Sequence, residues 1–218
     1  MDINSILAKV KEARELGKKR KFTQTFDCII NLQNLDLRKP EHKLDLGVTL
    51  ACPVRDKKFR VCAIVDQGIT GADKFVDKVL GAQDLQALKG NIKEIRKITH
   101  GYDKFIVQVN LMPAFAQVLG RYLGPMNKMP SPKLGMVINP KTDIAALVGQ
   151  LQKMALLQTK KNLVLQCSLG SEKESDETIA KNLAHVYEVL VGVLPGQKNN
   201  LKSVYVKMTM SKPLEVDL

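Results

Sequence analysis

Two stretches near opposite ends of the chain, "FTQTFDCIINL" (Phe22 to Leu32) and "SVYVKMTM" (Ser203 to Met210), share a pattern that sharply limits the folds open to it. In the first, Phe26, Cys28, Ile30 and Leu32 alternate with Thr25, Asp27, Ile29 and Asn31. In the second, Val204, Val206, Met208 and Met210 alternate with Tyr205, Lys207, Thr209 and Ser211. Period-two alternation marks a strand with one buried and one solvated face. "KKNLVLQCSLG" repeats it, with Leu163, Leu165 and Cys167 opposed to Val164, Gln166 and Ser168, and "LDLGVTLAC" reads as a further strand after a loop, "RKPEHK", around Pro40. Such strands need a cover for their apolar face. Each chain end supplies one amphipathic helix. Ile3, Ile6, Leu7, Val10, Ala13 and Leu16 form a stripe, with Asp2 or Asn4 suited to the cap and Gly17 to the stop. Ile179, Leu183, Val186, Tyr187, Leu190 and Leu194 form another, running from about Ser175 to Pro195-Gly196.

The middle of the chain follows a different rule. "VCAIV", "FIVQV" and "GMVI" are short and wholly apolar, as buried parallel strands are. Each is expected to lead into a helix: "DQGITGADKF", then "MPAFAQVLG" with Pro113 in the first turn, then "TDIAALVGQLQKMALL" capped by Thr142 or Asp143. Alternating strands and helices predict an α/β unit. The economical architecture combines α/β and α+β classes in two domains. Residues 1–60 and 158–218 are expected to form an α+β domain with a mainly antiparallel sheet built from both chain ends. Residues 61–157 are expected to form an inserted, Rossmann-like α/β domain.

Catalysis finds little support in the residues. His42, His100 and His185 stand apart from any Ser, Cys or carboxylate in a nucleophile arrangement, and neither G-x-x-x-x-G-K-[ST] nor G-x-G-x-x-G occurs. Cys28, Cys52, Cys62 and Cys167 are widely spaced, without the C-x-x-C pairs of zinc sites, and read as small buried hydrophobes. No cofactor or metal is expected. With no signal-like segment and no apolar run of membrane-spanning length, the expected location is the cytosol, without a membrane partner.

Charge supplies the positive argument. Lys and Arg number 34 against 22 Asp and Glu, a net +12 with a pI near 9.5, which suits an anionic partner and nucleic acid first. "KKRKF" sets four cations ahead of Phe22, an aromatic able to stack on a base or sugar. Lys207, Thr209 and Lys212 bring two cations around a hydroxyl that can meet a phosphate or a 2′-OH. If the first and last strands share a sheet, Thr25, Asp27, Lys207 and Thr209 form one exposed polar patch. Aromatics make up only 5% of the chain and Trp is absent, so recognition of folded RNA by shape and backbone is expected rather than a stacking platform. In the middle, "LGRYLGPMNKMPSP" builds a rigid basic loop from Gly124, Pro125, Asn127, Lys128 and Pro130.

Taken together, "KRKFTQTFDCIINL", "LGRYLGPMNKMPSP" and "VYVKMTMSKP" resemble, in order and over nearly the whole chain, the signatures of the ribosomal protein L-one family. These are the stalk proteins of the large ribosomal subunit, whose eukaryotic members are called L-ten-a. The resemblance implies a two-domain, non-enzymatic protein that binds the stalk segment of large-subunit rRNA beside the tRNA exit site and assists tRNA release. Exit-site tRNA and other large-subunit components would be partners. Some members repress translation on their own messenger RNA, and a nucleotide-binding α/β enzyme is the more distant alternative. Carried onto this chain, the RNA-facing positions would be Lys21, Phe22, Asp27, Thr209, Met210 and Ser211. Asp27 stands where the family commonly has Glu, Ser211 where it usually has Gly, and Met126 where many members have a small or basic residue. A Gly needed for positive φ would make Ser211 costly.

Overall fold

The computed structural model describes residues 2–18, 20–39, 42–54, 56, 58–66, 74–139, 142–159 and 162–216. Residues 40–41 of the expected loop, Lys19 of the basic run, and residues 67–73, where the sequence predicts entry into a helix, therefore lie outside the described residues. The described part of that last segment, 74–77, is turn ahead of β4 rather than α-helix. In chain order the elements are α1 (Ile3–Leu16), β1 (Thr25–Leu32), β2 (Asp45–Thr49), β3 (Val61–Ile64), β4 (Lys78–Leu80), α2 (Ala82–Leu88), α3 (Ile92–Gly101) and β5 (Lys104–Gln108). There follow α4 (Met112–Leu123), β6 (Val137–Ile138), α5 (Ile144–Lys153), β7 (Met154–Gln158), β8 (Val164–Ser171), α6 (Asp176–Val193), β9 (Leu201–Met208) and β10 (Leu214–Val216). They group into two compact units, Met1–Lys57 with Gln152–Leu218, and Lys58–Leu151. Among the described residues no helix is long and apolar enough to cross a membrane.

In the first unit β1 lies at the centre of an antiparallel sheet of order β10-β9-β1-β8. The alternation of β1 is visible as burial: Phe26, Cys28, Ile30 and Leu32 are buried, and Val204, Val206 and Met208 of β9 join them. α1 buries Ile6, Val10 and Ala13, packing on α6 and β9. Arg14 locks this cover. Its guanidinium sits 5.1 Å from the centre of the Phe26 ring, pairs with Asp176 at 2.7 Å, and donates to the carbonyls of Glu172 and Glu174. Asp2 occupies the cap position of α1 without a side-chain cap bond. Gly17 is the C-cap, but in extended backbone (φ −73°, ψ 109°) rather than the left-handed stop typical of glycine, and its missing Cβ leaves room for Met208 Sδ.

The helix expected over 142–157 stops at Lys153, and Met154–Gln158 form a strand instead. Met-Ala-Leu-Leu-Gln favours helix by local propensity, but the antiparallel ladder to β2 pairs Leu157 with Leu46 and Ala155 with Val48. Burial of Ala155 and Leu157 on that ladder overrides the propensity. At the head of α5, Asp143 supplies the cap by accepting from the Ala145 amide at 2.9 Å.

The second unit is a parallel sheet of order β4-β3-β5-β6. Its apolar runs are buried, all four residues of β3 among them. Cys62, Ile64, Phe105 and Val107 meet α2, α3 and α4 through Leu85, Leu88, Ile95, Ile98, Phe115 and Leu119, with the Phe105 and Phe115 rings 6.1 Å apart.

Candidate nucleic-acid interface

The amino end of β1 and the carboxyl end of β9 meet at one corner of the first unit's sheet. The Thr209 amide donates to the Thr25 carbonyl at 3.0 Å, and the Thr25 amide donates to Thr209 Oγ1 at 3.0 Å. On the open face the register sets Lys207 and Ser168 on either side of Asp27. A bulge between Phe26 and Asp27 produces that alignment by leaving Leu169 of β8 unopposed. Gly170 permits the bulge: its φ is 156°, and a Cβ there would lie 2.7 Å from Ile179 Cδ1.

The hydroxyls at the corner have a defined direction. Thr25 Oγ1 donates to Asp27 Oδ1 at 3.2 Å, and Thr209 Oγ1 lies 3.1 Å from Thr25 Oγ1 and 3.3 Å from the Thr25 carbonyl, so both of its acceptors are on Thr25. Ser168 Oγ donates to the same Asp27 oxygen at 2.9 Å. All three hydroxyl protons are spent inside the relay. Among the described residues no donor reaches Asp27 Oδ2, which stays an open acceptor on the partly exposed face. The centre of the corner thus accepts hydrogen bonds, Lys207 is paired with Asp27 by register, and Lys21 and Lys212 are exposed in the segments that lead into β1 and out of β9.

The turn after β9 departs from the expected alternation. The strand ends at Met208, and Met210, expected on the inward face, is 59% exposed. The Ser211 amide donates to the Met208 carbonyl at 3.0 Å, closing a turn that swings Met210 outward. Ser211 does not have positive φ, so its backbone makes no demand for glycine. Its Oγ accepts from the Met208 amide at 2.8 Å and lies 3.2 Å from the Met208 carbonyl, holding the turn shut. Phe22 is 51% exposed, which removes it from the core, and lies three residues ahead of the start of β1.

Two participants escape sequence reading. Gln24 is buried, accepting from the Met210 amide at 3.2 Å and donating to the Lys18 carbonyl at 3.0 Å, so it ties the basic run to the turn. Nothing in "TQT" signals that burial. Ser168 is legible as a polar-face residue, but its pairing with Asp27 depends on the bulge. Beneath the corner, Cys28 and Cys167 are opposite one another on β1 and β8, and both are buried and reduced. Hydrogen bonding to Cys167, then burial, raises the Cys28 thiol well above its ordinary value, so it offers no nucleophile.

The middle motif has another geometry. Asn127 takes the left-handed conformation at φ 52°, with its amide bonded to the Gly124 carbonyl at 3.0 Å. Lys128 Nζ donates to the carbonyls of Thr99 at 2.9 Å and Tyr102 at 2.7 Å, capping the end of α3. Pro130 is buried, Pro125 is exposed, and Met129 packs on the unit's core. Lys128 is therefore a helix cap rather than a free basic group. Among the described residues no cluster of His, Cys, Asp and Glu is placed to hold a metal.

Fold and corner together define a basic protein of two mixed α/β units with a polar, acceptor-centred sheet corner built from both chain ends. The chain belongs to the ribosomal protein L1p/L10e family, which residues 10–212 match. It is 36% identical over 218 residues to the large ribosomal subunit protein uL1 of Pyrococcus horikoshii, covering 99% of this chain and 97% of that protein. The uL1 protein of Nanoarchaeum equitans is 37% identical over 212 residues, covering 95% and 97%. That of Methanocaldococcus jannaschii is 34% identical over 217 residues, covering 99% and 96%.

Proposed function

We propose that this chain is a structural, non-enzymatic constituent of the large ribosomal subunit, holding the stalk segment of its rRNA through the corner where β1 and β9 meet. The observation that carries the reading is the hydroxyl relay. Thr25 and Ser168 donate to Asp27 Oδ1 and Thr209 turns its hydroxyl to Thr25, leaving Asp27 Oδ2 as an acceptor for a ribose 2′-OH, the group that distinguishes RNA from DNA. Lys21, Lys207 and Lys212 then meet phosphates, and Phe22 and Met210 offer apolar contact to a sugar or base. Ser211 maintains the turn that presents Met210. Asp27, shorter than the family's usual Glu, is brought to its position by the bulge.

In this reading residues 1–60 and 158–218 are the RNA-binding domain and residues 61–157 a Rossmann-like insert. The parallel order β4-β3-β5-β6 supports the description of the insert. Gly124, Pro125, Asn127, Lys128 and Pro130 shape the insert rather than touch RNA. The stalk carrying this chain would reach exit-site tRNA transiently, in the cytoplasm on the ribosome. The same corner would serve binding of its own messenger RNA.

The test is sedimentation with purified large subunits. The chain is expected to travel with subunits at low salt and to be released at high salt. A chain that stays at the top of the gradient at low salt contradicts the assignment.

A further inference from the structure

Half of the net charge lies away from the corner. Residues 58–151 carry 13 Lys and Arg against 7 Asp and Glu. On α3 the excess is ordered: Lys93, Arg96, Lys97 and His100 follow the i, i+3, i+4, i+7 spacing of a single helical stripe, and all four are exposed. Ile95, Ile98 and Thr99 are buried on the other side, which fixes the stripe outward. None of Lys93, Arg96 and Lys97 forms an ion pair with a described residue. A cavity of about 400 Å³ adjoins the stripe and shares Lys97 with it, adding Arg60, Lys78 and the ring of Tyr102. Its acids are Glu94 and Asp84, and Asp84 already accepts from the Gly81 amide at 2.9 Å.

A solvated helix face ordinarily interleaves charges of both signs at these spacings. Here the exposed face of α3 carries three cations, Lys93, Arg96 and Lys97, against one acid, Glu94, and the neighbouring cavity adds two cations and an aromatic edge. We propose that the solvent face of α3, with the cavity beside it, is a second RNA-contacting surface that binds backbone phosphates without regard to sequence. This deepens the reading of the chain as an RNA-binding protein, and assigns a separate contact to the insert's own residues. Lys128 strengthens the surface indirectly by capping α3, which keeps the stripe helical to its last turn.

The experiment uses the full chain and two probes, a stalk rRNA fragment and a random-sequence RNA duplex of about 20 base pairs. The triple variant Lys93→Gln/Arg96→Gln/Lys97→Gln is compared with a charge-matched control, Lys11→Gln/Lys181→Gln/Lys198→Gln. Three lost phosphate contacts lower the slope of log affinity against log salt by about 2–3. The α3 variant is expected to show that drop on the duplex, with binding weakened about tenfold or more near 0.1 M salt. The control should leave both nearly unchanged. If duplex binding by the α3 variant equals that of the control, the surface is disproved. If the wild type ignores the stalk fragment but binds the duplex through α3, the surface stands and the stalk assignment fails.

Discussion

Ser211, where the resemblance implies a glycine, uses its hydroxyl on the turn that follows β9, accepting from the Met208 amide. Removing that hydroxyl leaves the Met208 amide without its side-chain acceptor. Ser211→Gly should therefore lose about 0.5–1.5 kcal/mol of stability in denaturant titration, with affinity for a stalk rRNA fragment changed less than about twofold. A tenfold gain in affinity would show instead that the serine obstructs RNA. Thr25, Asp27, Lys207 and Thr209 were all legible as one polar face, because strand alternation depends only on local spacing. Met210 was not. Alternation carries no information on where a ladder stops, and the Met208–Ser211 turn reverses the facing of the residues inside it.

Among the elements, those with a full apolar face were readable and those decided by distant partners were not. β1, β9 and α6 follow from their own periodicity. β7 exists because β2 offers a ladder from a segment about a hundred residues earlier in the chain. The pair α2 and α3, joined by a turn in which Gly90 takes a φ of 96°, has the helical spacing of Ile95 and Ile98 but no strong terminal signal beyond Asn91. Lys128 belongs to this scale as well. A basic residue in a Pro-rich loop suggests an exposed contact, yet its ammonium neutralises the carbonyl end of α3. Lys128→Met retains the aliphatic stem and removes the cap. It should speed amide exchange over Ile98–Tyr102 and cost about 1–2 kcal/mol, leaving binding at the β1–β9 corner intact. Unchanged exchange would mean that the two hydrogen bonds contribute nothing to holding the helix end.

At the scale of the whole molecule, the division of labour follows from how the two kinds of strand are covered. Half-polar strands leave one face of the terminal sheet open, and that face can meet RNA. Wholly apolar strands need burial on both sides, which commits the middle sheet to its helices and leaves only helix surfaces for contact. Net charge pointed to a polyanion from composition alone. The proposed use of the 2′-OH rather than phosphate alone could not be read that way, since it depends on the Thr25 and Ser168 hydroxyls both donating to one oxygen of Asp27. The central claim is that this carboxylate accepts from RNA. The most direct measurement is the affinity of the intact chain for a stalk rRNA fragment, wild type against Asp27→Asn, with thermal melting as the control. Asparagine retains a carbonyl for Thr25 and Ser168 but replaces the outward acceptor with an amide donor. The account predicts binding weakened by about 1.5–3 kcal/mol with little change in melting, and equal affinity for the two proteins would contradict it.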